Sequence, residues 1–352
     1  MGYEVDFLAV GDGERGGDAI ALRCGNLHNP PDNQVVMVFD GGTKESGEKL
    51  VNHIKEYYKT NKVDYLFLSH PDNDHASGLS VILEKLSVGV LVMHKPWEHA
   101  QEIKDLFVDG RLTTKGLEIR IAKSLQAAKD IESLATQKGI PIVEPFTGVG
   151  TEDGMITVLG PSLDYYKILL ANFRETPKPK PEATIAQNIF RMATEAIEWV
   201  EEKLDIETLD DTGETSSENN SSSIVLLNFE GNRVLLTGDA GIPALTQAAD
   251  YATKNNIEIS PLHFWQVPHH GSKHNVGPTI LDRLQGNTSF ISVPQKGDPK
   301  HPSRKVTNAL NRRRKDTVHA TKGTNKRHHN NAPNRDGWTS STPVPFYSKV
   351  ES

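Results

Sequence analysis

The feature that most constrains this chain is a group of four potential metal ligands within six residues: His70, Asp72, Asp74 and His75. They directly follow an apolar segment, 63–68, that is predicted to be a strand, and a helix is predicted to begin at about Ser77. Sites in α/β sheets lie where strand ends face a crevice. A bent loop can direct the first two ligands one way and the last two another, which suits two ions a few ångströms apart. Helix capping would account for one such residue, but not for two histidines and two aspartates.

Short apolar strands alternate with helices in two blocks of the chain. The predicted strands are rich in Val, Leu and Phe and are bounded by turn residues: 3–10, 34–39, 63–69, 88–94, 223–229, 233–237, 262–267 and 289–293. Apolar residues at helical spacing predict helices at 48–58, just after the His70 cluster, and at 117–138. This alternation predicts an α/β fold.

The middle of the chain differs from these blocks. Lys178-Pro179-Lys180-Pro181 predicts a stiff extended linker, followed by a helix at about 182–204 and a loop rich in Asp, Glu, Ser and Asn at 205–220. We interpret about 162–218 as an insertion, helical and then acidic and flexible, that could be a lid, a partner surface or decoration. The segment from about 330 to 352 is rich in Asn, Ser, Thr and Pro and is expected to be partly disordered.

Charge is distributed unevenly along a chain whose formal net charge is −7. Residues 195–218 contain ten acidic residues and one lysine, whereas 296–335 contain twelve Lys or Arg and two Asp. Such a basic block can be the footprint of a nucleic-acid partner or a solvated charged face, and charge alone leaves both open. Because Cys24 is the single cysteine, no intrachain disulfide can form. With no signal peptide and no membrane-spanning apolar run, a cytoplasmic protein is expected.

The 70–75 cluster, His-x-Asp-x-Asp-His, resembles a variant of the metallo-β-lactamase superfamily signature His-x-His-x-Asp-His. With Asp in the second ligand position, it is similar to the nuclease domain of ComEC-type DNA-uptake competence proteins and their soluble relatives. Further segments match in order: Gly17-Asp18-Ala19, Phe39-Asp40-Gly41-Gly42, 219–227, Leu235-Leu236-Thr237-Gly238-Asp239, Pro268-His269-His270-Gly271-Ser272-Lys273, 291–293 and His301-Pro302-Ser303. The resemblance implies an αββα four-layer sandwich of mixed α and β structure, with residues 1–352 forming one domain that carries the helical and acidic insertion.

The resemblance also implies a ligand set for two metal ions. His70 and Asp72 are expected to hold one ion. Asp74, His75 and one of the pair His269 and His270 are expected to hold the other, and Asp239 is expected to bridge the two. His269 is the preferred ligand, which leaves His270 behind the ligands or facing phosphate, but the sequence does not order the pair. Where the superfamily usually has a further histidine, this chain has Asn219 or Asn220, and Asp40 is expected to orient His75 or His269.

Two divalent metal ions are the implied cofactors. Because an aspartate replaces an imidazole, the oxygen-rich donor set favours Mn²⁺, with Zn²⁺ next. Metals of this kind lower the pKa of a water molecule and supply a hydroxide in line with a phosphodiester. The residues expected to take part in the reaction are Asp74, His270, His301 and Lys273. His301 could protonate a leaving alkoxide, or it could be only a turn residue before Pro302.

Basic residues in and after the later motifs are expected to face phosphate oxygens, because Lys and Arg neutralise phosphate charge. The candidates are Ser272, Lys273, Arg304, Arg312, Arg313 and Arg314. The last three form a stripe that is expected to be solvated or to face nucleic acid.

The first functional hypothesis is a phosphodiesterase or nuclease that acts on DNA, RNA or a nucleotide. One alternative is hydrolysis of a small phosphoester, which would need a closed pocket rather than a basic groove. Another is a partner-activated component of a multi-protein complex, such as a phage-defence system, with the insertion as the partner surface. The sequence leaves the substrate, the oligomeric state and the role of the insertion open.

Overall fold

The computed structural model describes residues 1–13, 16–29, 33–185, 198–297, 301–313 and 318–352. Arg314, named above as a phosphate-facing candidate, lies outside these residues, as does the middle of the helix predicted at 182–204.

Two large sheets and one small one make up the β structure. The strands of the first sheet are β1 (Gly2–Phe7), β2 (Ala19–Gly25), β3 (Gln34–Gly41), β4 (Lys62–Phe67), β5 (Ser87–Val92), β6 (Ile142–Val143) and β14 (Lys326–Asn330). Those of the second are β7 (Ile156–Gly160), β9 (Ile224–Phe229), β10 (Asn232–Leu236), β11 (Leu262–Gln266), β12 (Gly286–Ile291) and β13 (Val318–Ala320). β8 (Trp199–Glu201) and β15 (Lys349–Glu351) form an antiparallel pair.

Each large sheet combines antiparallel and parallel pairing. The first has the order β14-β1-β2-β3-β4-β5-β6, antiparallel as far as β3 and parallel beyond it. The second has the order β13-β12-β11-β10-β9-β7, parallel from β13 to β10 and antiparallel beyond. The parallel halves direct the loops after β3, β4, β10, β11 and β12 toward one region, where the site lies.

Helices cover the outer face of each sheet. They are α1 (Lys44–His53), α2 (Asn73–Ala76), α3 (Leu79–Lys85), α4 (Ala100–Ile103), α5 (Thr114–Ser124), α6 (Gln126–Gln137), α7 (Leu163–Ala171), α8 (Ser217–Asn220), α9 (Ile242–Lys254), α10 (Pro278–Arg283) and α11 (Arg304–Arg313). A π-helical turn, Ile54–Tyr58, continues α1, and short 3-10 helices occupy Pro96–His99, Lys104–Leu106, Pro181–Ala183 and His269–Gly271. Among the described residues, every helix is too short or too polar to cross a membrane.

Three apolar cores separate the layers. One lies between the first sheet and helices that include α1, α3, α5 and α6, and another lies between the second sheet and α9, α10 and α11. The third fills the space between the two sheets, where Phe7 contacts Phe264 and Phe290 edge-on. The sequence of layers is therefore helix, sheet, sheet, helix, which confirms the predicted αββα sandwich.

Three local predictions differ from the structure. The predicted helix 117–138 is two helices, because Leu125 leaves helical geometry while it packs against the first core. The described ends of the predicted helix 182–204 are a 3-10 turn and strand β8, which obtains its hydrogen bonds from β15. The predicted disordered tail is ordered, because Asn308 and Asn311 of α11 bond to the backbone at Tyr347 and Val344.

Candidate metal centre

The carboxylate of Asp239, in the loop after β10, faces two buried imidazoles. These are the side chains of His70 and His75, in the 70–75 loop after β4. Its Oδ2 atom lies 3.8 Å from Nε2 of His70, and its Oδ1 atom lies 3.5 Å from Nε2 of His75. All three side chains are buried, and their ligand atoms lie within 4.8 Å of one another. The two oxygens of Asp239 therefore face different imidazoles, an arrangement that would suit the bridging role expected of this residue.

A second group of donors shares His75. Asp74, His75 and His270 also bring ligand atoms within 4.8 Å of one another. The Nδ1 atom of His270 lies 2.8 Å from the carbonyl oxygen of Ser292, so this nitrogen donates and Nε2 remains for the group. His270 adopts a left-handed backbone conformation, φ 55°, as does His269, φ 47°. The geometry therefore favours His270 over His269 as the partner of Asp74 and His75, the reverse of the expected order.

Asp40 fixes both histidines of the 70–75 loop. Its Oδ2 atom lies 2.8 Å from Nδ1 of His75 and accepts a 2.6 Å hydrogen bond from Oγ of Ser69. Because the Ser69 hydroxyl donates to Asp40, its oxygen accepts from Nδ1 of His70, 3.0 Å away. In its neutral form, each imidazole would therefore carry its proton on Nδ1 and direct the Nε2 lone pair into the site. Asp40 contacts His75, as predicted, and no contact with His269 is found in the described structure.

The buried atoms that converge here have no other partners in the described structure. Nε2 of His70, Nε2 of His75 and Oδ1 of Asp239 are buried without a hydrogen bond. Orphaned buried polar atoms are rare in proteins because each one costs desolvation energy. Two imidazoles and shared carboxylates are a donor set suited to divalent metal ions, so these residues fit the cofactor that the sequence implies.

Charge coupling within the group is strong. Burial alone would lower the pKa of His75, but the carboxylates of Asp239 and Asp40 raise it well above its usual value. Burial alone would raise the pKa of Asp239, but His269, His75 and His70 hold it well below its usual range. Such mutual stabilisation is typical of a site built for bound charge.

His269 also faces the carboxylate of Asp239. Its Nε2 atom is 3.7 Å from Oδ2 of Asp239, the oxygen that also faces His70, and its Nδ1 atom lies 2.9 Å from Oδ1 of Asn275. The Nδ2 atom of Asn219 is 3.2 Å from the same His269 nitrogen, whereas Asn220 bonds to the backbone oxygen of Ser216. Asn219 thus contacts a histidine of the site, while Asn220 holds its own loop.

A family model supports this site from the sequence side. Residues 32–161, which include Asp40 and the 70–75 loop, match the model described as the metallo-beta-lactamase superfamily. This match shows that part of the chain, residues 32–161, is similar to that superfamily.

Individual relatives match less of the sequence. ComE operon protein 3 from Bacillus subtilis is 31% identical over 97 residues, which are 28% of this chain and 12% of that protein. The chain therefore matches only a small part of this curated relative's length.

Two solved structures resemble the fold. CmlA, a diiron β-hydroxylase from Streptomyces venezuelae, is 11% identical, with a TM-score of 0.46 over 93% of this chain and 54% of that chain. Igni18, a metallo hydrolase from Ignicoccus hospitalis, is 12% identical, with a TM-score of 0.43 over 92% of this chain and 98% of that chain. Because both TM-scores are under 0.5, neither likeness bears on the chemistry of this domain.

Asp72 of the 70–75 loop lies apart from the described ligand groups. Its Oδ2 atom is 4.0 Å from Nε2 of His70, and both its oxygens bond to Nη2 of Arg174, at 2.7 and 3.0 Å. Arg174 follows α7 inside the segment 162–218. The sequence offered no signal for Arg174, because its contact with Asp72 spans 102 residues of chain.

Asp18 was not among the site residues predicted from the sequence, although it also lies at the centre. Its carboxyl lies in a buried group with Asp40 and His75 and accepts a 2.5 Å hydrogen bond from Nε2 of Gln266. Burial and neighbouring carboxylates raise the pKa of Asp18 to about 8, although His75 opposes them. The Gly-Asp-Ala segment at 17–19 could have indicated a role for Asp18. Gly17 has no room for a side chain, because a Cβ atom there would lie 2.1 Å from the carbonyl oxygen of Asp74.

The residues predicted to act in the reaction or to face phosphate, other than the metal ligands, divide into two sets. His301 lies beside the site, with ring centroids 5.9 Å from His269 and 6.0 Å from His270. Ser272 is buried and accepts a hydrogen bond from the backbone of His274, and Lys273 bonds to the carbonyl oxygen of Ser352.

The arginines after the later motifs are engaged within the protein, contrary to expectation. The Arg304 guanidinium stacks on Trp199 and Tyr347, 4.4 and 4.5 Å from their ring centroids. Arg312 pairs with buried Glu202 at 2.6 Å and also bonds to backbone carbonyls. Arg313 pairs with Glu207 and Asp282, at 2.7 and 2.6 Å. The acidic insertion therefore neutralises two arginines of the basic block, because the fold packs these parts of the chain together.

Proposed function

We propose that this protein is a metal-dependent phosphodiesterase, with nuclease action on DNA, RNA or a nucleotide as the leading form of that activity. The observation that carries the proposal is the position of Asp239, whose two carboxylate oxygens face the Nε2 atoms of His70 and His75 at 3.8 and 3.5 Å. Paired ions held by one bridging carboxylate suit displacement at phosphorus, where attacking and leaving oxygens both need stabilisation.

The ligand set of the proposal follows the geometry. One ion would be held by His70, Asp239 and Asp72, and the other by Asp74, His75 and His270 together with Asp239. Three aspartates contribute to these positions, and such oxygen-rich sites suit Mn²⁺ better than sites made of three imidazoles. We therefore propose Mn²⁺ as the preferred ion and Zn²⁺ as the next.

The residues of the chain have distinct tasks around these positions. Divalent ions bound there activate water and neutralise phosphate charge. Asp40 keeps the Nε2 lone pairs of His70 and His75 directed into the site, directly for His75 and through Ser69 for His70. His301, beside His269 and His270, is placed to protonate a leaving alkoxide.

Two observations bear on the substrate. The resemblance of the 70–75 loop to the nuclease domain of competence proteins supports a nucleic-acid or nucleotide substrate. The internal pairing of Arg312 and Arg313 weakens the support that the basic block gave to a long polymer. A small phosphoester therefore remains the second candidate. A protein partner on the segment 162–218 also remains a proposal.

The experiment is a cleavage assay on the full chain. Labelled single- and double-stranded DNA and RNA, together with bis-p-nitrophenyl phosphate, are incubated with Mn²⁺, Mg²⁺ or Zn²⁺, and with EDTA as the control. We expect metal-dependent cleavage that the Asp239→Asn variant loses. Cleavage that survives in EDTA, or in Asp239→Asn with metal, would contradict the proposal. Turnover of the small diester alone would favour the second candidate.

A further inference from the structure

Arg174 forms the most direct link between the segment 162–218 and the metal centre. Its Nη2 atom donates to both carboxylate oxygens of Asp72, at 2.7 and 3.0 Å. Asp72 occupies the second ligand position of the 70–75 loop. A residue outside the loop therefore engages a carboxylate that the proposed metal site also needs.

The backbone of Arg174 is fixed while its guanidinium remains accessible. The buried Glu218 carboxylate accepts hydrogen bonds from the backbone N–H of Arg174 at 2.7 Å and from its Nε atom at 3.0 Å. Phe173, the preceding residue, is buried in the first core. The Arg174 side chain nevertheless keeps 62% of its surface exposed, so its contact with Asp72 can open without unfolding the segment.

Asp72 lies where two cations can reach it. Its Oδ2 atom is 4.0 Å from Nε2 of His70, close to the 3.8 Å that separates Oδ2 of Asp239 from the same nitrogen. Metal–ligand bonds to imidazole and carboxylate are about 2.0 to 2.2 Å, so one ion could contact both His70 and Asp72. A guanidinium on the same carboxylate draws its negative charge away from that ion, and the two positive charges also repel each other.

We propose that Arg174 is a positioning residue that acts through Asp72 and weakens the hold of the centre on the ion at His70. The proposal rests on the metal-dependent function proposed above. In this proposal, the metal ion at His70 is bound more weakly and exchanges more readily than the ion held by Asp74, His75 and His270. The proposal also gives the segment 162–218 a defined effect on the centre, because Arg174 and its anchor Glu218 both belong to that segment.

The test measures Mn²⁺ affinity on the full chain by titration calorimetry, with the Mn²⁺ electron paramagnetic resonance signal as a second readout. Arg174→Gln removes the charge and keeps a hydrogen-bond donor, and we expect it to tighten the weaker Mn²⁺ site about tenfold. Arg174→Lys keeps the charge but loses the planar fork that reaches both Glu218 and Asp72, so its affinity should lie between those of the unaltered protein and Arg174→Gln. Arg283→Gln, which breaks an exposed pair with Asp250 away from the centre, is the matched control and should change nothing.

Two further variants show whether the effect passes through Asp72. Asp72→Asn should weaken the same site, and Arg174→Gln combined with Asp72→Asn should bind no more tightly than Asp72→Asn alone. An Arg174→Gln variant with unchanged or weaker Mn²⁺ binding would overturn the inference while leaving the metal centre intact. Absence of Mn²⁺ binding by the unaltered protein would overturn the proposed function and this inference with it. Circular dichroism of each variant confirms that the fold is kept.

Discussion

The Oδ2 atom of Asp40 lies 2.8 Å from Nδ1 of His75, and both side chains are completely buried. The carboxylate comes from the end of β3 and the imidazole from the loop after β4, so the parallel pairing of these strands sets their distance. Asp40 itself adopts a left-handed backbone conformation, φ 60°. Non-glycine residues adopt it at an energetic cost, and such strain often accompanies a functional position.

We expect Asp40→Asn to weaken Mn²⁺ binding about 10- to 100-fold, the usual loss when a group that orients a ligand is removed. The amide is a weaker acceptor for His75 Nδ1 than the carboxylate, so the imidazole is oriented less firmly. Titration calorimetry measures the affinity. Asp250→Asn, a carboxylate change in the exposed pair with Arg283, is the control. Equal affinity in Asp40→Asn and the control would show that Asp40 does not orient the ligand.

Asp74→Asn and Asp239→Asn should differ in the number of metal ions that the protein retains. Asp239 faces His70 and His75 with separate oxygens, whereas Asp74 belongs to the group with His75 and His270. We therefore expect Asp239→Asn to lose both ions and Asp74→Asn to lose one, with turnover abolished in each. Elemental analysis of dialysed protein gives the stoichiometry. If Asp239→Asn retained two ions, the bridging role would be wrong.

The sequence predicted the parts of the centre that lie in short motifs at strand ends. The 70–75 loop, Asp239 and the His269-His270 pair meet in the structure because strand ends of parallel sheets share one edge. The sequence did not predict the contacts between segments that lie far apart in the chain. Arg174 reaches Asp72 across 102 residues, and Arg313 reaches Glu207 across 106, so no local pattern marks either pair. A charge count cannot distinguish a free basic stripe from one that the fold neutralises.

Substitution of Arg312 tests whether this arginine is paired within the protein rather than free to contact phosphate. It pairs at 2.6 Å with Glu202, whose side chain is fully buried, and its guanidinium lies 5.0 Å from the ring centroid of Phe346. Arg312→Met keeps the stem and leaves the Glu202 charge unpaired, so we expect a loss of about 3 kcal/mol in the free energy of unfolding. Arg312→Met combined with Glu202→Gln should recover most of that loss. Urea denaturation followed by circular dichroism measures both.

The same variant should leave nucleic-acid binding unaffected. If the stripe contacted phosphates, Arg312→Met would reduce the dependence of binding on salt by roughly one phosphate contact. We expect an unchanged salt slope in a fluorescence anisotropy titration with labelled DNA. A shallower slope, with stability unchanged, would restore the sequence-based interpretation of Arg312.

His94, a histidine outside the metal centre, is expected to affect the stability of the fold in acid. His94 is buried, stacks on Tyr166 with centroids 4.3 Å apart, and has no hydrogen bond on either ring nitrogen in the described structure. Burial lowers the pKa of His94 from 6.5 to about 3, because nearby Glu144 compensates only in part and His99 adds to the effect. The folded protein therefore holds the neutral ring.

Between these two pKa values the unfolded chain binds a proton that the folded chain excludes. The His94 contribution is therefore present above pH 6.5 and is lost as the pH falls toward about 3, at no more than about 1.4 kcal/mol per pH unit. His94→Phe keeps an aromatic ring against Tyr166 without a titratable group, so its stability should decline less steeply over this range. His94→Gln should share that shallower slope even if it starts from a lower stability. Urea unfolding at pH 7, 6, 5 and 4 measures the slopes, and parallel curves for all three proteins would mean that His94 is protonated in the folded state.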